Sequence, residues 1–231
     1  MSTFGEQVTA FYQSFKPPTS LPAGVQTLNP YRDSAVRDAV AVFNKKYFKT
    51  AKKRIFLIGI NPGKLGAGVT GIAFTDTEAL RTYNIPNTIP ESQEISAQFV
   101  YDMIEEYGGP KKFYQTFFLT NICPFGFIKG KVNYNYYDSA ECVKALTPYI
   151  RKTFEKQLQF GAAPVAIVLG KGKNFAIIKK MNDEFGWFKH ILPLEHPRFI
   201  MQYRRKKADT YHAKYLETLN EAQRLVRSST T

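Results

Sequence analysis

Three polar side chains follow apolar runs of the type that form buried strands. Asn61, Asn121 and His196 each come within a few residues of the end of such a run. In open α/β sheets, ligands bind in the crevice outside the carboxyl ends of the strands. We therefore expect the three side chains to converge on one pocket. Two amides and an imidazole, with no carboxylate at these positions, would suit a polar, planar ligand.

A glycine-rich loop follows the first of these residues. Gly63, Gly66, Gly68 and Gly71 all lie between residues 61 and 75. Such a density of glycines favours a loop with unusual dihedral angles or close approach to a ligand. A Gly-x-Gly-x-x-Gly match begins at Gly66, but no long helix is predicted to open there, so a ligand-lining loop is favoured over a dinucleotide site.

The charge balance indicates a polyanionic partner. The chain has 32 Lys and Arg residues against 19 Asp and Glu residues, for a net charge of +13. A basic surface of this kind favours nucleic acid, and the alternative is a basic surface with no partner. A further basic cluster at residues 45–54 is interpreted as a solvated helix end, at the sheet edge opposite the proposed site.

The segment after His196 mixes bulky apolar residues with cations. Apolar side chains can pry bases apart while Arg and Lys hold phosphates, so this segment is a candidate DNA-contacting surface. The alternative is a solvated turn that leads into a helix. The candidate DNA-binding residues are Arg198, Phe199, Tyr203, Arg204 and Arg205. Among the carboxylates, Glu195, beside His196, is the more serious functional candidate, and the alternative is that it orients the loop or His196.

Composition excludes several other classes of protein. Two Cys and three scattered His residues argue against a disulfide scaffold and form no recognisable metal set. We therefore expect no metal and no organic cofactor. The sequence has no apolar run of membrane-spanning length and no secretory signal pattern at its start, so we expect a cytoplasmic, nucleoid-associated protein.

Alternation of strands and helices predicts the fold. Residues 1–33 are turn-rich and are predicted to form an irregular wrap, and Ser34 is predicted to cap the helix that follows. The helices are predicted over residues 34–48, 92–107, 139–160, 171–185 and 208–227, and the strands over residues 54–59, 115–120, 164–170 and 188–194. This order predicts a single α/β domain over residues 1–231, a three-layer α/β/α fold with a central four-stranded parallel sheet. We expect a monomer.

Four short segments together resemble a known family. Residues 59–63, 70–74, 120–124 and 196–197 resemble, in order, the motifs of the single-strand-selective monofunctional uracil-DNA glycosylases, within the uracil-DNA glycosylase superfamily. The resemblance extends over most of the chain. It implies a uracil-DNA glycosylase-like fold and an enzyme that flips uracil out of single- or double-stranded DNA and excises it to begin base excision repair.

The resemblance also implies roles for individual residues. Asn61 would position a water molecule, Phe74 would stack on the base, Asn121 would read the uracil edge and His196 would bond uracil O2. The backbone amide near Ile60 would assist His196. Gly63 matches a position where a bulky aromatic blocks the C5 side of uracil in stricter members, and Gly66 and Ala67 keep the nearby loop small. We therefore expect 5-hydroxymethyluracil to be accepted, and released faster than thymine.

Two departures from the family pattern indicate a divergent, bacterial-type branch. A His-Pro-Ser-Pro motif is replaced by residues 196–199, and the Asn-rich wedge that usually follows is replaced by residues 198–207. They bear on DNA opening and strand preference rather than on the pocket. The competing class is a non-enzymatic protein that binds single-stranded nucleic acid. A zinc deaminase would need a Cys-x-x-Cys signature that the sequence lacks.

Overall fold

A parallel sheet of four strands lies at the centre of the protein in the computed structural model, which describes residues 2–229. The helices are α1 Phe4–Ser14, α2 Ser34–Tyr47, α3 Ala67–Thr70, α4 Thr77–Thr82, α5 Ile95–Glu106, α6 Pro110–Thr116, α7 Ala140–Leu158, α8 Lys173–Phe185, α9 Pro197–Tyr203 and α10 Ala208–Ser228. The strands are β1 Val25–Leu28, β2 Arg54–Gly59, β3 Phe117–Asn121, β4 Gly126–Lys129, β5 Val132–Tyr134, β6 Ala162–Leu169 and β7 His190–Leu194. Single turns of 3-10 helix occupy Pro30–Arg32 and Arg205–Lys207.

The central sheet has the strand order β3-β2-β6-β7, with every neighbouring pair parallel. Helices flank it, and every residue of β2 is buried. Continuous apolar strands of this kind are typical of parallel sheets covered on both faces. The predicted α/β/α fold with a four-stranded parallel sheet is confirmed.

The register of the sheet places the ends of its four strands at one edge. Gly59, the last residue of β2, pairs with Asn121, the last residue of β3, and Leu169 at the end of β6 pairs with Leu194 at the end of β7. Because the strands are parallel, these residues share the carboxyl edge of the sheet. Asn61 lies just beyond the end of β2 and His196 just beyond the end of β7, at the same edge.

A second, antiparallel sheet of three strands was not predicted. It has the order β1-β4-β5, and Gly130 makes the turn between β4 and β5 with φ +61°. A left-handed conformation of this kind favours glycine. Strands of three and four residues are too short to give a clear periodic pattern in the sequence.

The prediction of an irregular wrap over residues 1–33 is wrong. Helix α1 begins after Thr3, which forms a capping box with Glu6, and it buries Phe4, Val8 and Phe11. The capping box satisfies free backbone N–H groups, while the apolar side chains recur at helical spacing. The strand β1 then pairs with β4.

Other boundaries also differ from the prediction. Asp33, not Ser34, caps α2, because its carboxylate accepts a hydrogen bond from the backbone N–H of Ala35. Helix α6, which was not predicted, precedes β3. The segment after His196 is the helix α9 and not a turn. Tertiary packing decides these boundaries, because Ile200 and Met201 of α9 are buried.

The basic cluster at residues 45–54 is only partly solvated. Lys45, Lys49, Lys52 and Lys53 are exposed, as expected. Arg54 is instead buried at the start of β2, where its Nε donates to the carbonyl of Tyr114 over 2.9 Å. The interpretation of a solvated helix end is therefore wrong for Arg54.

Candidate active site

Phe74 lies beside both Asn121 and His196 at the carboxyl edge of the sheet. The centroids of the Phe74 and His196 rings are 5.6 Å apart. A Cβ atom on Gly59 would lie 2.5 Å from Asn121 Oδ1 and 2.7 Å from Phe74 Cζ, so only glycine leaves room for both side chains. An aromatic ring, an amide and an imidazole are thus brought close together at this edge, a combination of groups suited to a planar, polar molecule.

The Asn121 side chain is buried and makes no hydrogen bond with any residue between 2 and 229. Its backbone carbonyl is held by Gln157 Nε2 at 3.3 Å, and Gln157 Oε1 accepts from Thr120 Oγ1 at 2.5 Å. The backbone of Asn121 is thus fixed while its side-chain amide keeps both a donor and an acceptor for a ligand.

The backbone of Phe74 is strained. Its φ of +54° is rare for a residue with a Cβ atom and costs about 1–3 kcal/mol. Two hydrogen bonds of the next residue hold the loop: Thr70 Oγ1 donates to the Thr75 carbonyl at 2.6 Å, and Thr75 Oγ1 pairs with Tyr101 Oη at 2.8 Å. The loop therefore keeps the Phe74 ring beside His196.

The Asn61 side chain is locked by the segment that follows strand β4. Its Nδ2 donates to the carbonyl of Tyr134 at 3.2 Å, and its Oδ1 accepts from the backbone N–H of Tyr136 at 3.0 Å. Each of these two atoms retains one further hydrogen-bonding position. The side chain can therefore hold a water molecule in a fixed orientation, but an amide cannot act as a general base.

The His196 ring is neutral and presents one N–H group. It caps helix α9, where Nδ1 accepts from the backbone N–H of Arg198 at 3.1 Å. Burial, assisted by the positive charge of Arg198, lowers the pKa of His196 to about 4. Since Nδ1 is an acceptor, the proton of the neutral ring lies on Nε2, which can donate to a ligand.

A cleft of about 510 Å³ adjoins this group of residues at His196, between the β5 segment and helix α9. Arg198, Phe199 and Tyr203 lie on its α9 wall, and the exposed fractions of Phe199 and Tyr203 are 42% and 60%. The cleft is lined by Ile60, Asn61, Pro62, Gly63, Lys64, Glu94, Val132, Asn133, Asn135, Tyr137, His196, Arg198, Phe199, Gln202 and Tyr203.

Four residues singled out in the sequence lie off the cleft wall and outside the group of Phe74, Asn121 and His196. Ala67 is buried at the start of α3. The guanidinium of Arg204 lies 5.7 Å from the centroid of the Phe199 ring, beside the cleft, and Arg205 lies farther along in the 3-10 turn. Glu195 is ion-paired with two lysines and forms no hydrogen bond with His196, and its backbone carbonyl accepts a hydrogen bond from Tyr215 Oη.

Sequence reasoning missed two contributions to the site. Glu94 and Asn133 both line the cleft, Glu94 from the start of α5 and Asn133 from β5. Burial raises the pKa of Glu94 to about 7, although the charge of Arg198 opposes this effect. The turn at Gly130 was a usable signal for the β4–β5 hairpin, whereas nothing local to Glu94 pointed to the site.

Within residues 2–229, no group of three or more His, Cys, Asp or Glu side chains is arranged to hold a metal ion. The same range contains no helix that is long and apolar enough to cross a membrane.

Comparisons with known proteins give a consistent result. The sequence profile of the uracil DNA glycosylase superfamily matches residues 45–220. The crystal structure of wild-type SMUG2 from Pedobacter heparinus superposes with a TM-score of 0.93 at 37% sequence identity, over 97% of this chain and 100% of that one. A search of curated proteins gives no match.

Proposed function

Because the chain belongs to the uracil-DNA glycosylase superfamily, we propose that this DNA glycosylase flips uracil out of DNA and hydrolyses its N-glycosidic bond, the first step of base excision repair. The observation that carries the proposal is the free side-chain amide of Asn121, which lies beside the Phe74 ring, itself 5.6 Å from the His196 ring between centroids. A uracil ring offers one polar edge to each of these two polar groups.

Asn121 supplies the specificity for uracil. Its N–H group can donate to uracil O4 while its carbonyl accepts from N3–H. In the amide orientation that pairs with uracil, cytosine presents the reverse pattern at these atoms, and it would leave buried polar groups without partners. Sites built to hydrogen-bond one base reject such an analogue strongly. The stacking of a flipped base on Phe74 contributes about 1–3 kcal/mol, which offsets part of the cost of unstacking.

His196 stabilises the leaving group. When the bond between C1′ and N1 breaks, its electron pair stays on the uracil ring and negative charge develops at O2. The Nε2–H of neutral His196 and the backbone N–H near Ile60 are the donors for that charge. A fixed donor of this kind contributes about 3–4 kcal/mol in the transition state. Because the pKa of His196 is about 4, the ring is already neutral near pH 7. His196 therefore acts as a hydrogen-bond donor rather than as an acid.

Asn61 positions the attacking water molecule. The sugar becomes positively charged as uracil departs, so a water molecule held by Asn61 needs no general base to add to C1′. The water oxygen forms the new bond, and its proton passes to solvent. Lys64, the amine nearest to this loop, donates to the carbonyl of Lys131 at 2.6 Å. We therefore propose a monofunctional enzyme that leaves the abasic site uncut.

The test is release of uracil from a single-stranded and a double-stranded oligonucleotide, followed by alkaline cleavage. The wild-type protein should produce strand scission at uracil, and Asn121→Ala should lose at least a hundredfold in rate. Asn220→Ala is the matched control, because Asn220 is an exposed asparagine on α10. Binding of the oligonucleotide without any scission by the wild-type protein would instead support a non-enzymatic binding protein.

A further inference from the structure

Tyr136 connects the residue that positions water to the interior of the protein. Its backbone N–H donates to Asn61 Oδ1 at 3.0 Å, while its side chain is fully buried. The hydroxyl group at the far end of that side chain donates to Asn174 Oδ1 at 2.9 Å. Tyr136 therefore holds Asn61 through its main chain and is itself held through its side chain.

Asn174 is anchored in turn at the carboxyl edge of the central sheet. It is buried in the first turn of α8, and its Nδ2 donates to the carbonyl of Leu169, the last residue of β6, at 3.0 Å. A Cβ atom on Gly170 would lie 3.3 Å from Asn174 Cβ and 3.9 Å from His196 Cβ. The chain of hydrogen bonds that begins at Asn61 therefore ends at the same strand ends that position His196.

The other hydrogen bonds of this segment are more accessible to water. Asn135 bonds to Asp138 through both its backbone N–H and its side chain, and both of these hydrogen bonds are exposed. Tyr134 belongs to the three-residue strand β5 and is half-buried. A hydrogen bond in a buried environment is stronger because the local dielectric constant is low. The buried bond between Tyr136 and Asn174 is therefore the firmest attachment of the segment.

A small displacement of the Asn61 amide would misdirect the water molecule that it holds. A reacting group that moves by about 1 Å can lose about a hundredfold in rate. We propose that Tyr136 and Asn174 are positioning residues, whose hydrogen bond fixes the Asn61 amide and through it the attacking water molecule. This inference rests on the proposed excision of uracil. Neither residue lines the cleft, so the pair acts on the rate of hydrolysis rather than on the binding of DNA.

The experiment is a double-mutant cycle on single-turnover release of uracil. Tyr136→Phe removes only the hydroxyl group, and the rate constant should fall about tenfold because the Asn61 amide loses its fixed orientation. The Kd for the uracil-containing oligonucleotide should change by no more than about twofold. In an Asn61→Ala background there is no amide to orient, so Tyr136→Phe should cause no more than about a twofold further loss. Asn174→Ala should give the same pattern from a different element.

The matched control is Tyr83→Phe, because Tyr83 is also buried and donates its hydroxyl to Glu105, and neither of these two residues lines the cleft. It should leave the rate constant unchanged. If either Tyr136→Phe or Asn174→Ala folds poorly in a denaturant titration, the other decides. An unchanged rate constant, or the same fractional loss with and without the Asn61 amide, would overturn the positioning role and leave the proposed function intact. A wild-type enzyme that releases no uracil would overturn both.

Discussion

Gly59 and Asn121 are paired residues on adjacent parallel strands, and Asn121 Oδ1 lies only 2.5 Å from the position that a Cβ atom on Gly59 would take. The Asn121 amide therefore occupies the space above Gly59, with Phe74 beside it. The site proposed for the base therefore requires glycine as the last residue of β2, because Asn121 and Phe74 occupy the space that a side chain would need. The order of the sheet, and not only the identity of the polar residues, thus determines the pocket.

This relationship predicts that Gly59→Ala is inactive although it changes no polar group. The added methyl must displace Asn121 and Phe74, whose Cζ atom would lie 2.7 Å from it. We expect a fall in kcat/KM of at least a hundredfold, measured by single-turnover release of uracil. Gly172→Ala is the matched control, because a Cβ atom there meets no atom within 4 Å. Activity near that of the wild type in Gly59→Ala would show that the base binds elsewhere.

Asn61→Ala should lose most of the activity while DNA binding stays near normal. The substitution removes the groups that would orient water, and Asn61 contributes no charge to phosphate binding. It also leaves the Tyr136 N–H and the Tyr134 carbonyl without their partner, so unfolding should become easier by about 1–3 kcal/mol. Single-turnover rates and oligonucleotide titrations, both at a temperature well below the midpoint of unfolding, separate the two effects. A variant that keeps its turnover would remove Asn61 from the mechanism.

The positions of the strand ends could be predicted from the sequence because continuous apolar runs mark buried parallel strands. Asn61, Asn121 and His196 follow those runs, so their shared edge was accessible from the pattern alone. The partners of Asn61 were not, since Tyr136 is 75 residues away along the chain. Such long-range contacts depend on the complete fold and leave no local periodicity.

The wall opposite α9 illustrates the same limit. Asn133 lies on a three-residue strand, and Glu94 is the N-cap of a helix that the sequence predicts without indicating that its first turn faces the cleft. Both reach the cleft through their packing against the glycine-rich loop. The mixed apolar and basic composition of the α9 segment is evident in the sequence, but its helical form, with Ile200 buried and Phe199 exposed, required the structure.

The low pKa of His196 predicts where activity is lost in acid. Protonation would place a proton on Nδ1, which now accepts from the Arg198 N–H, and would disrupt the cap of α9. The acid limb of kcat/KM due to this residue should therefore lie near pH 4 rather than near 6.5.

The pH profile is measured in a Glu94→Gln background, which removes the titration of the carboxyl group that lines the same cleft. Arg198→Ala should move the limb to higher pH, because one positive charge that opposes protonation is gone. A limb near pH 6.5 in the background enzyme would contradict the buried, neutral ring.

Salt dependence should locate the DNA-binding surface. Each phosphate contact that is lost should lower the slope of log K against log salt by about 0.7–0.9. We expect a smaller slope for Arg198→Ala and for the double variant Arg204→Ala, Arg205→Ala. Arg224→Ala is the control, since Arg224 is exposed on α10 in a different surface groove. An unchanged slope in both test variants would move the DNA surface to another basic region, such as the exposed lysines between residues 45 and 53.

Glu94 should make the stability of the protein fall as pH rises. Its pKa is about 7 in the folded state against 4.5 for an ordinary glutamate, so between these values the folded protein binds more protons than the unfolded chain. The contribution of Glu94 to the free energy of unfolding therefore declines from pH 4.5 to pH 7 and changes little above that.

The side chain of Glu94→Gln cannot ionise. The free energy of unfolding of this variant, relative to the wild type, should therefore grow across this window by about 2 kcal/mol, a value reduced for the partial exposure of the side chain. Denaturant titrations at pH 5, 6, 7 and 8 measure the difference. Glu91→Gln, which alters an exposed carboxylate nearby, should show no such trend. If the difference between Glu94→Gln and the wild type stays constant from pH 5 to pH 8, the Glu94 carboxyl group is solvated in the absence of DNA.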